Sequence, residues 1–156
     1  ARLEPAEEYV LVDGYNILFA WDELSAIARD NLDAARHILM NLLCNYQAYR
    51  GCALILVFDA YKVPEGLGSV EKYHNIHIVY TKQAETADQY IERVTYALAG
   101  RRRRVRVATS DNLEQLIILG HGAERVSAQN FHDEVQAVRA EISRLVQRNN
   151  QKNAEL

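Results

Sequence analysis

Short apolar runs alternate with longer amphipathic segments along this chain, and that alternation predicts an α/β fold. The apolar runs are rich in β-branched residues and are bounded by turn-forming residues, as strands are. The run Ala53–Phe58 is apolar throughout, which is typical of a central parallel strand covered on both faces. We predict strands at residues 9–12, 53–58, 76–80, 105–109 and, more briefly, 124–126.

Helical periodicity fills the intervals between these runs. Residues 31–50 repeat apolar side chains at three- and four-residue spacing and end at Gly51, where helices commonly stop. Further helices are predicted at residues 86–99 and 112–119, and Ser127 is predicted to cap a final amphipathic helix. Such a strand–helix series favours a three-layer α/β/α architecture with a mainly parallel central sheet.

The domain organisation follows from where this pattern begins and ends. A length of 156 residues suits one such domain. We expect an N-terminal extension at residues 1–8, the domain itself at residues 9–148 and a frayed polar tail at residues 149–156. Proline and glycine within residues 62–73 predict a loop.

Composition and charge narrow the class of protein. The net charge of −3 argues against a protein that coats nucleic acid through charge alone, although acidic metal sites also lower the net charge. No run of about 18 apolar residues is present, so we expect no membrane span. Residues 1–8 lack the apolar region of a signal peptide. Cys44 and Cys52 form no metal-binding motif, and reduced thiols in a cytoplasmic protein are the expected interpretation.

Aspartates lie where the predicted strands end. Asp13, Asp59 and Asp111 come at the ends of the first, second and fourth strands. Asp88 lies in the first turn of the helix that follows the third strand. Because the carboxyl ends of parallel strands share one edge of the sheet, where ligands bind, we expect these four carboxylates to converge.

Converging carboxylates repel one another and need a compensating positive charge. No lysine or arginine occurs within the segments 13–16, 57–60, 85–88 and 108–111 to neutralise these aspartates. Hard divalent cations such as Mg²⁺ or Mn²⁺ prefer carboxylate oxygens, and they activate water and stabilise displacement at a phosphodiester. The pattern therefore indicates a metal site formed by the four aspartates.

Each acid also has an ordinary structural interpretation. Asp13 and Asp59 suit turns, and Asp88 suits the positive end of a helix. Asp111 suits a helix cap, with Glu114 completing a capping box. Taken singly, the structural interpretation is favoured for Asp111 and stays open for the other three. The shared sheet edge favours the functional interpretation of the set.

Four motifs hold these acids: Asp13-Gly14-Tyr15-Asn16, Val57-Phe58-Asp59-Ala60, Glu85-Thr86-Ala87-Asp88 and Ala108-Thr109-Ser110-Asp111. As a set they resemble the YacP-like branch of the NYN family, and the similarity runs across residues 9–146. The resemblance implies a PIN-like α/β/α fold and an endoribonuclease whose clustered acids hold Mg²⁺ or Mn²⁺. Branch members include a bacterial endonuclease that cleaves mRNA on the translating ribosome. The resemblance therefore implies RNA, and mRNA in particular, as substrate and the ribosome as a partner.

The resemblance also implies a role for individual residues. Asp13 and Asp88 match the core metal-binding acids. Asp59 and Asp111 match further members of the acidic cluster. Asn16 matches an asparagine that orients the first aspartate or a phosphate. The expected catalytic residues are Asp13, Asp88, Asp111 and Asn16, and the candidates for supporting the metal ligands are Glu85 and Ser110.

Basic residues supply candidate RNA contacts, namely Lys62, Lys82, Arg101, Arg102, Arg103 and Arg104. The two lysines follow strands and belong to the edge that carries the acids, with Tyr61 or Tyr73 available to stack a base. The arginines precede the fourth strand, so we expect them at the opposite edge. A solvated turn is the favoured interpretation there as regards catalysis, and docking of RNA phosphates stays open.

Other functions are weighed against the nuclease. A catalytically silent RNA- or ribosome-binding adaptor would keep the fold but would not need all the acids. A phosphatase of the aspartyl-phosphate type wants a second Asp two residues after the first, where this chain has Tyr15. A dinucleotide site is weaker still, because the first strand is not followed by the glycine-rich fingerprint.

Overall fold

A computed structural model of the chain describes residues 6–60, 68–99, 103–111 and 122–155. The predicted helix at 112–119 lies outside these residues. Within the described ranges the chain forms six strands and five helices. Their bounds are β1 Glu8–Asp13, α1 Gly14–Ala20, α2 Asp22–Asp30, α3 Leu32–Arg50, β2 Ala53–Phe58, β3 Val70–Tyr73, β4 Ile76–Tyr80, α4 Ala87–Ala99, β5 Arg104–Ala108, β6 Glu124–Val126 and α5 Ala128–Ala154.

The six strands form one sheet in the order β3-β4-β2-β1-β5-β6. The central strand β1 runs parallel to β2 on one side and to β5 on the other. Among the described strands, only β3 is antiparallel to its neighbour. The predicted mainly parallel sheet is therefore confirmed. We call the edge where β1 ends at Asp13, and where Asp59 and Asp111 follow β2 and β5, the acidic edge.

Helices cover both faces of the sheet, which confirms the three-layer architecture. On one face, Val10 and Val12 of β1 lie in a core with residues of α1, α2, α3 and α5. On the other face, Tyr9 and Leu11 lie in a core with residues of α4. Successive residues of β1 thus point to opposite layers, as strand geometry requires. Because both faces of the central strands are buried, their sequences are apolar at successive positions.

Local hydrogen bonds set the ends of the long helices. Asn31 Oδ1 accepts the N–H of Ala34 at 3.0 Å where α3 begins. Gly51, at φ 72°, ends that helix in the left-handed conformation that glycine adopts without strain. Ser127 Oγ accepts the N–H of Asn130 at 3.1 Å, which confirms the predicted cap of α5. A cap of this kind contributes about 1 kcal/mol to helix stability.

Residues 70–73 correct the prediction of a loop at residues 62–73. They form β3, which pairs antiparallel with β4 after a turn at His74 and Asn75. The segment Val-Glu-Lys-Tyr carries no apolar run, because an edge strand pairs through its backbone and buries little side chain. Residues 61–67 lie outside the described residues.

The helices also depart from the sequence prediction in two places. Residues 14–30 form α1 and α2, which the sequence pattern did not reveal. Helix α1 has only 7 residues, and Trp21 separates the two helices with no side-chain cap. At the other end of the chain, α5 continues to Ala154 as an exposed helix, where a frayed tail was expected from residue 149.

The two cysteines and the apolar character of the helices can be compared with the sequence prediction. Cys44 and Cys52 are free thiols, as the sequence predicted. Burial raises the pKa of the Cys52 thiol to about 11, so this side chain stays protonated at neutral pH. Within the described ranges, no helix combines the length and apolar character needed to cross a bilayer.

Candidate functional site

Asp13 closes the central strand at the acidic edge. Asp13 is only 6% exposed. Thr109 Oγ1 donates a hydrogen bond of 3.3 Å to Asp13 Oδ2. Asp13 occupies the N-cap position of α1, yet its side chain makes no cap hydrogen bond. The carboxylate is therefore directed to the neighbouring strand end, and capping α1 is not its role.

Gly14 lets the chain turn tightly from β1 into α1. A Cβ atom at this position would lie 2.6 Å from the Phe58 ring and 2.7 Å from the Val57 carbonyl oxygen. Real Cβ atoms do not approach backbone oxygens so closely, so no larger residue fits without a shift of β1 against β2. The Asp-Gly pair is thus explained by packing between adjacent strand ends, and the glycine fixes where the Asp13 carboxylate sits.

Hydrogen bonds tie the segment after β5 to β1 and α1. The Thr109 hydroxyl, which donates to Asp13, also accepts the backbone N–H of Asp111 at 3.1 Å. Asn16 Oδ1 accepts the backbone N–H of Ser110 at 2.7 Å. Thr109 is fully buried. Asp13 and the backbone of Asp111 are therefore joined through one buried hydroxyl, and Asn16 holds the residue between Thr109 and Asp111.

Asp59 ties the end of β2 to the start of α4. Its Oδ1 accepts the N–H of Ala87 at 2.8 Å, so it caps this helix from a distant point in the sequence. Thr81 Oγ1, just after β4, accepts the N–H of Ala60 at 3.2 Å. Asp88 follows Ala87 in the first turn. The helix start that carries Asp88 is thus fixed at the acidic edge by the side chain of Asp59.

The alternation of side chains along β1 places Asp13 on the α4 side of the sheet. Tyr9 and Leu11 lie in the core beneath α4, and Asp13 is the next residue in that alternation. Helix α4 starts at the acidic edge, because it follows β4 in a parallel arrangement. Its positive N-terminal end therefore lies at the same edge as the acids, where it favours negative charge.

The described residues contain no group of three acidic, histidine or cysteine side chains placed to hold a metal ion together. Hydrogen bonds instead link Asp13, through Thr109, to the backbone N–H of Asp111, and link Asp59 to the backbone N–H of Ala87, the residue before Asp88. A carboxylate offers about four lone-pair positions, so one such bond leaves each acid able to bind a cation as well. Convergence of the four carboxylates and metal binding by them both stay predictions.

Glu85 and Lys82 flank the turn before α4. Both carboxylate oxygens of Glu85 lie 3.3 Å from the guanidinium of Arg93, so Glu85 pairs with the helix that follows it. The Lys82 carbonyl accepts the N–H of Glu85 at 3.0 Å, and the Lys82 side chain is exposed. Glu85 as a support of the metal ligands and Lys82 as an RNA contact stay predictions.

The described part of the basic cluster lies at the edge opposite the acids. Arg103 donates to the Tyr9 hydroxyl at 2.8 Å. Arg104 contacts Glu8 at 3.2 Å and Glu124 at 3.0 Å. These pairs link β5 to β1 and β6, so they give the arginines a structural role, and RNA contact stays a prediction. Lys62, Arg101 and Arg102 lie outside the described residues.

Tyr73 corrects one detail of the predicted RNA surface. It pairs with Ile76 at the beginning of β4, and its hydroxyl donates to Asn41 Oδ1 at 2.8 Å. Because β4 begins at the edge opposite the acids, Tyr73 cannot stack a base near them. The chain returns from the acidic edge along β3, a path that the loop prediction did not contain. Tyr61 is outside the described residues.

Sequence reasoning missed two contributors to this site. Thr109 lies in the motif around Asp111 but was given no role, although its hydroxyl joins Asp13 to the backbone of Asp111. Tyr15 accepts a hydrogen bond of 3.3 Å from Arg36 and packs on Phe58. The available signal for Thr109 was its position just after a strand and two residues before Asp111. Nothing in the sequence pairs Tyr15 with Arg36.

The mainly parallel sheet with helices on both faces is a PIN-like fold. The chain belongs to the YacP-like NYN domain family, whose model matches residues 10–156.

Named relatives agree with this assignment. The chain is 38% identical over 141 residues to the uncharacterized protein YacP of Bacillus subtilis strain 168, covering 90% of this chain and 82% of that protein. It is similar to the crystal structure of Rae1 (YacP) from Bacillus subtilis, with a TM-score of 0.82, 37% identity, and coverage of 94% of this chain and 84% of that one. The W164L mutant of that protein gives a TM-score of 0.81 at 35% identity, covering 92% of this chain and 84% of that one.

Proposed function

We propose that this chain is a metal-dependent endoribonuclease that cleaves phosphodiester bonds in mRNA and uses Mg²⁺ or Mn²⁺. The observation that carries the proposal is the Thr109 hydroxyl, which donates to the buried Asp13 carboxylate and accepts the Asp111 N–H. It links the acid of the central strand to the acid of the adjacent strand. Family membership supports the same chemistry.

The donor chemistry of the acidic edge fits a hard divalent cation. Mg²⁺ usually keeps several waters and takes only one or two protein carboxylates, so it does not need all four aspartates as direct ligands. In the proposed site the ligands, direct or through water, are Asp13, Asp59, Asp88 and Asp111. When bound, the cation would supply water activation and charge stabilisation at the scissile phosphate.

The chain's own residues would hold the acids in place while RNA binds. Thr109 fixes one oxygen of Asp13, and Asp59 fixes the helix turn that carries Asp88. Asn16 fixes Ser110, so the segment leading to Asp111 cannot swing away from β1. Groups fixed in advance stabilise a transition state without the cost of reorganising during the reaction. Supporting hydrogen bonds of this kind commonly change metal affinity or activity by about 10- to 100-fold.

A cleavage assay on one defined mRNA tests the proposal. We expect the purified chain to cut the RNA internally with Mn²⁺, to stop when a chelator is added and to resume when Mn²⁺ is restored. The same mRNA during translation tests whether the ribosome is a partner, as the family resemblance implies, and we expect faster cleavage there. Internal cleavage that persists in excess chelator would contradict the metal dependence. Absence of cleavage of both the free and the translated mRNA would contradict the proposal that the chain is a nuclease.

One observation favours a second candidate, a catalytically silent RNA-binding adaptor. The part of the chain that the structure describes contains no three potential metal ligands in one group. Titration calorimetry with Mn²⁺ separates the two functions. The nuclease predicts metal binding that Asp13→Asn weakens, whereas absence of binding at millimolar Mn²⁺, together with intact RNA binding, would favour the adaptor.

A further inference from the structure

The C-terminal half of α5 extends away from the domain. The first half packs through Phe131, Val135 and Val138, which are buried. Ile142 is partly buried against the same core. Every residue from 143 to 154 is exposed, and this stretch is about three helical turns long. No face of it is therefore buried against the described part of the domain.

The direction of α5 carries this stretch past the edge opposite the acids. The helix starts at the acidic edge, because β6 before it is parallel to β5. Glu134, in its second turn, already pairs with Arg50 at the end of α3, and Arg50 also contacts Glu8 at the start of β1. Residues 143–154 lie roughly 14–30 Å further along the helix axis than Glu134. The stretch is thus remote from the proposed cleavage site.

The side chains of residues 143–154, which we call the basic arm, are cationic or neutral. Arg144, Arg148 and Lys152 recur at four-residue intervals, so they lie on successive turns of one helix face. Amide side chains occupy most of the other positions, namely Gln147, Asn149, Asn150, Gln151 and Asn153. No acid occurs in this stretch, although the chain as a whole has a net charge of −3. Positive charge is therefore concentrated on one side of the arm.

The chemistry of the basic arm matches the phosphate backbone of RNA. Arginine and lysine neutralise phosphates, and asparagine and glutamine donate hydrogen bonds to phosphate and sugar oxygens. Acids, which repel a polyanion, are absent from the arm. Glu141 lies just before the arm and pairs with Arg144. The outer cations Arg148 and Lys152 are therefore expected to make the stronger contacts with a phosphate backbone.

The apolar side of α5 does not continue far enough to form a protein interface. The stripe that packs the first half ends with Leu145 and Val146, which are 44% and 53% exposed. Asn149 and Asn153 occupy the positions three and seven residues after Val146, where a paired helix would need apolar side chains. A stable protein interface needs about 800 Å² on each side, more than two such side chains supply. The arm thus fits a polyanion better than a second copy of the chain.

We infer that the basic arm is a docking surface for the phosphate backbone of an RNA whose cleaved bond lies at the acidic edge. The inference rests on the proposed function and adds a second contact with the same RNA. About 30 Å of helix separates Arg148 from the start of α5 at the acidic edge. A stacked strand advances about 3.4 Å per nucleotide, so roughly nine nucleotides connect the two places. A long RNA can occupy both, whereas a short RNA at the acidic edge cannot reach the arm.

Variants that remove two cations test the docking surface. The arm variant is Arg148→Gln/Lys152→Gln, which keeps good helix formers at exposed positions. The control is Arg29→Gln/Arg139→Gln, because both arginines are exposed and Arg139 faces the opposite side of α5 from Arg148. The long RNA is a fragment of about 40 nucleotides of the mRNA from the cleavage assay, and the short RNA is the roughly 8 nucleotides around the bond that is cut in it.

Binding and cleavage are measured separately. Fluorescence anisotropy in chelator gives the affinity for the long RNA across a salt titration, and Mn²⁺ gives the cleavage rate on the short RNA. We expect the arm variant to bind the long RNA on the order of 10-fold more weakly at about 0.1 M salt. The slope of log affinity against log salt should fall by about 1.4, since each phosphate contact with a single strand contributes about 0.7. Cleavage of the short RNA should not change, and the control should match the wild type in both measurements.

The outcomes separate the docking surface from the proposed function. Wild-type affinity and salt slope in the arm variant, with normal cleavage, overturn the docking surface and leave the nuclease standing. Weaker binding of the long RNA by the arm variant alone, without cleavage by the wild type, supports the docking surface and overturns the nuclease.

Three further results would overturn the docking surface. Equal loss of binding in the control variant would show that only net charge matters. Slower cleavage of the short RNA by the arm variant, with an unchanged thermal melt, would place its cations at the cleavage site. A wild-type dimer in sedimentation that Leu145→Gln abolishes would assign the arm to a second copy of the chain.

Discussion

The side-chain oxygen of Asn16 accepts the backbone N–H of Ser110 at 2.7 Å. This bond crosses from the first turn of α1 to the segment after β5, and at 2.7 Å it is shorter than the bonds of Asp13, Asp59 and Thr81 at the same edge. Asn16 therefore acts on Asp111 through the backbone. Its proposed role is that of a positioning residue.

Asn16→Ala is predicted to lower Mn²⁺-dependent cleavage about 10- to 100-fold and to raise the Mn²⁺ concentration needed for half-maximal activity. Ser110 is exposed, so water can replace the lost acceptor and the free energy of unfolding should fall by less than about 1 kcal/mol. Cleavage rates across a metal titration, with a urea melt of the same sample, measure both effects.

Asn31→Ala is the control for that variant. It removes a similar bond, from Asn31 Oδ1 to the N–H of Ala34, at the start of α3. The loss of this cap should cost about 1 kcal/mol of stability and leave the metal titration unchanged. Equal loss of cleavage in both variants would show that Asn16 has no particular relation to the site.

Gly14→Ala is predicted to damage both stability and cleavage. The added Cβ would lie 2.7 Å from the Val57 carbonyl oxygen, so β1 must shift against β2. Overpacking of this kind costs about 1–3 kcal/mol, and the shift moves the Asp13 carboxylate. Urea melts and cleavage rates of the purified variant measure the two losses.

Gly51→Ala is the comparison for Gly14→Ala. Gly51 has φ 72° and open space around its Cβ position, so only backbone strain of about 1 kcal/mol is expected. Cleavage by the folded protein should not change. If Gly14→Ala melts and cleaves like the wild type, the close packing of this turn is not a requirement of the site.

Glu134 is predicted to make stability depend on acidic pH. Two bonds from Arg106, at 2.9 and 2.7 Å, hold the pKa of this carboxyl below its ordinary value of 4.5, although partial burial opposes the shift. The unfolded chain therefore takes up this proton before the folded chain does. The contribution is fully present above about pH 4.5 and is lost as pH falls through the lowered folded pKa.

Urea melts of the wild type and Glu134→Gln between about pH 3 and 6 measure this contribution. The variant should lose part of the pH slope and be less stable by about 2 kcal/mol at neutral pH, because Arg106 is left buried without its main partner. Glu141→Gln removes an exposed pair with Arg144, which water screens, and should have a much smaller effect. Identical pH slopes in the wild type and Glu134→Gln would contradict the assignment.

Much of the fold could be predicted from periodicity, because burial on two faces leaves a direct record in the sequence. The run Ala53–Phe58 is a strand with the predicted bounds, and α3 lies within the predicted residues 31–50 and ends at the predicted stop, Gly51. Strand β3 could not be found in this way, since its pairing uses the backbone alone. Helices α1 and α2 are short and meet at Trp21, whose role is tertiary: its Nε1 donates to the Ala128 carbonyl at 2.9 Å.

The site could be located from the sequence but its connections could not. Strand ends predicted that Asp13, Asp59 and Asp111 share an edge, and parallel pairing around β1 bears out the topology behind that prediction. The hydroxyl of Thr109 joins residues that are about a hundred positions apart, and only the register of β1 against β5 brings them together.

The most direct test of the central claim is Mn²⁺-dependent cleavage of a defined mRNA by Asp13→Asn and Asp88→Asn. Glu92→Gln is the control, since it removes an exposed carboxylate from the same helix as Asp88. We predict that both aspartate variants lose cleavage, that their thermal melts stay close to that of the wild type, and that Glu92→Gln cleaves normally. Full cleavage by either folded aspartate variant would contradict an acidic metal site at this edge.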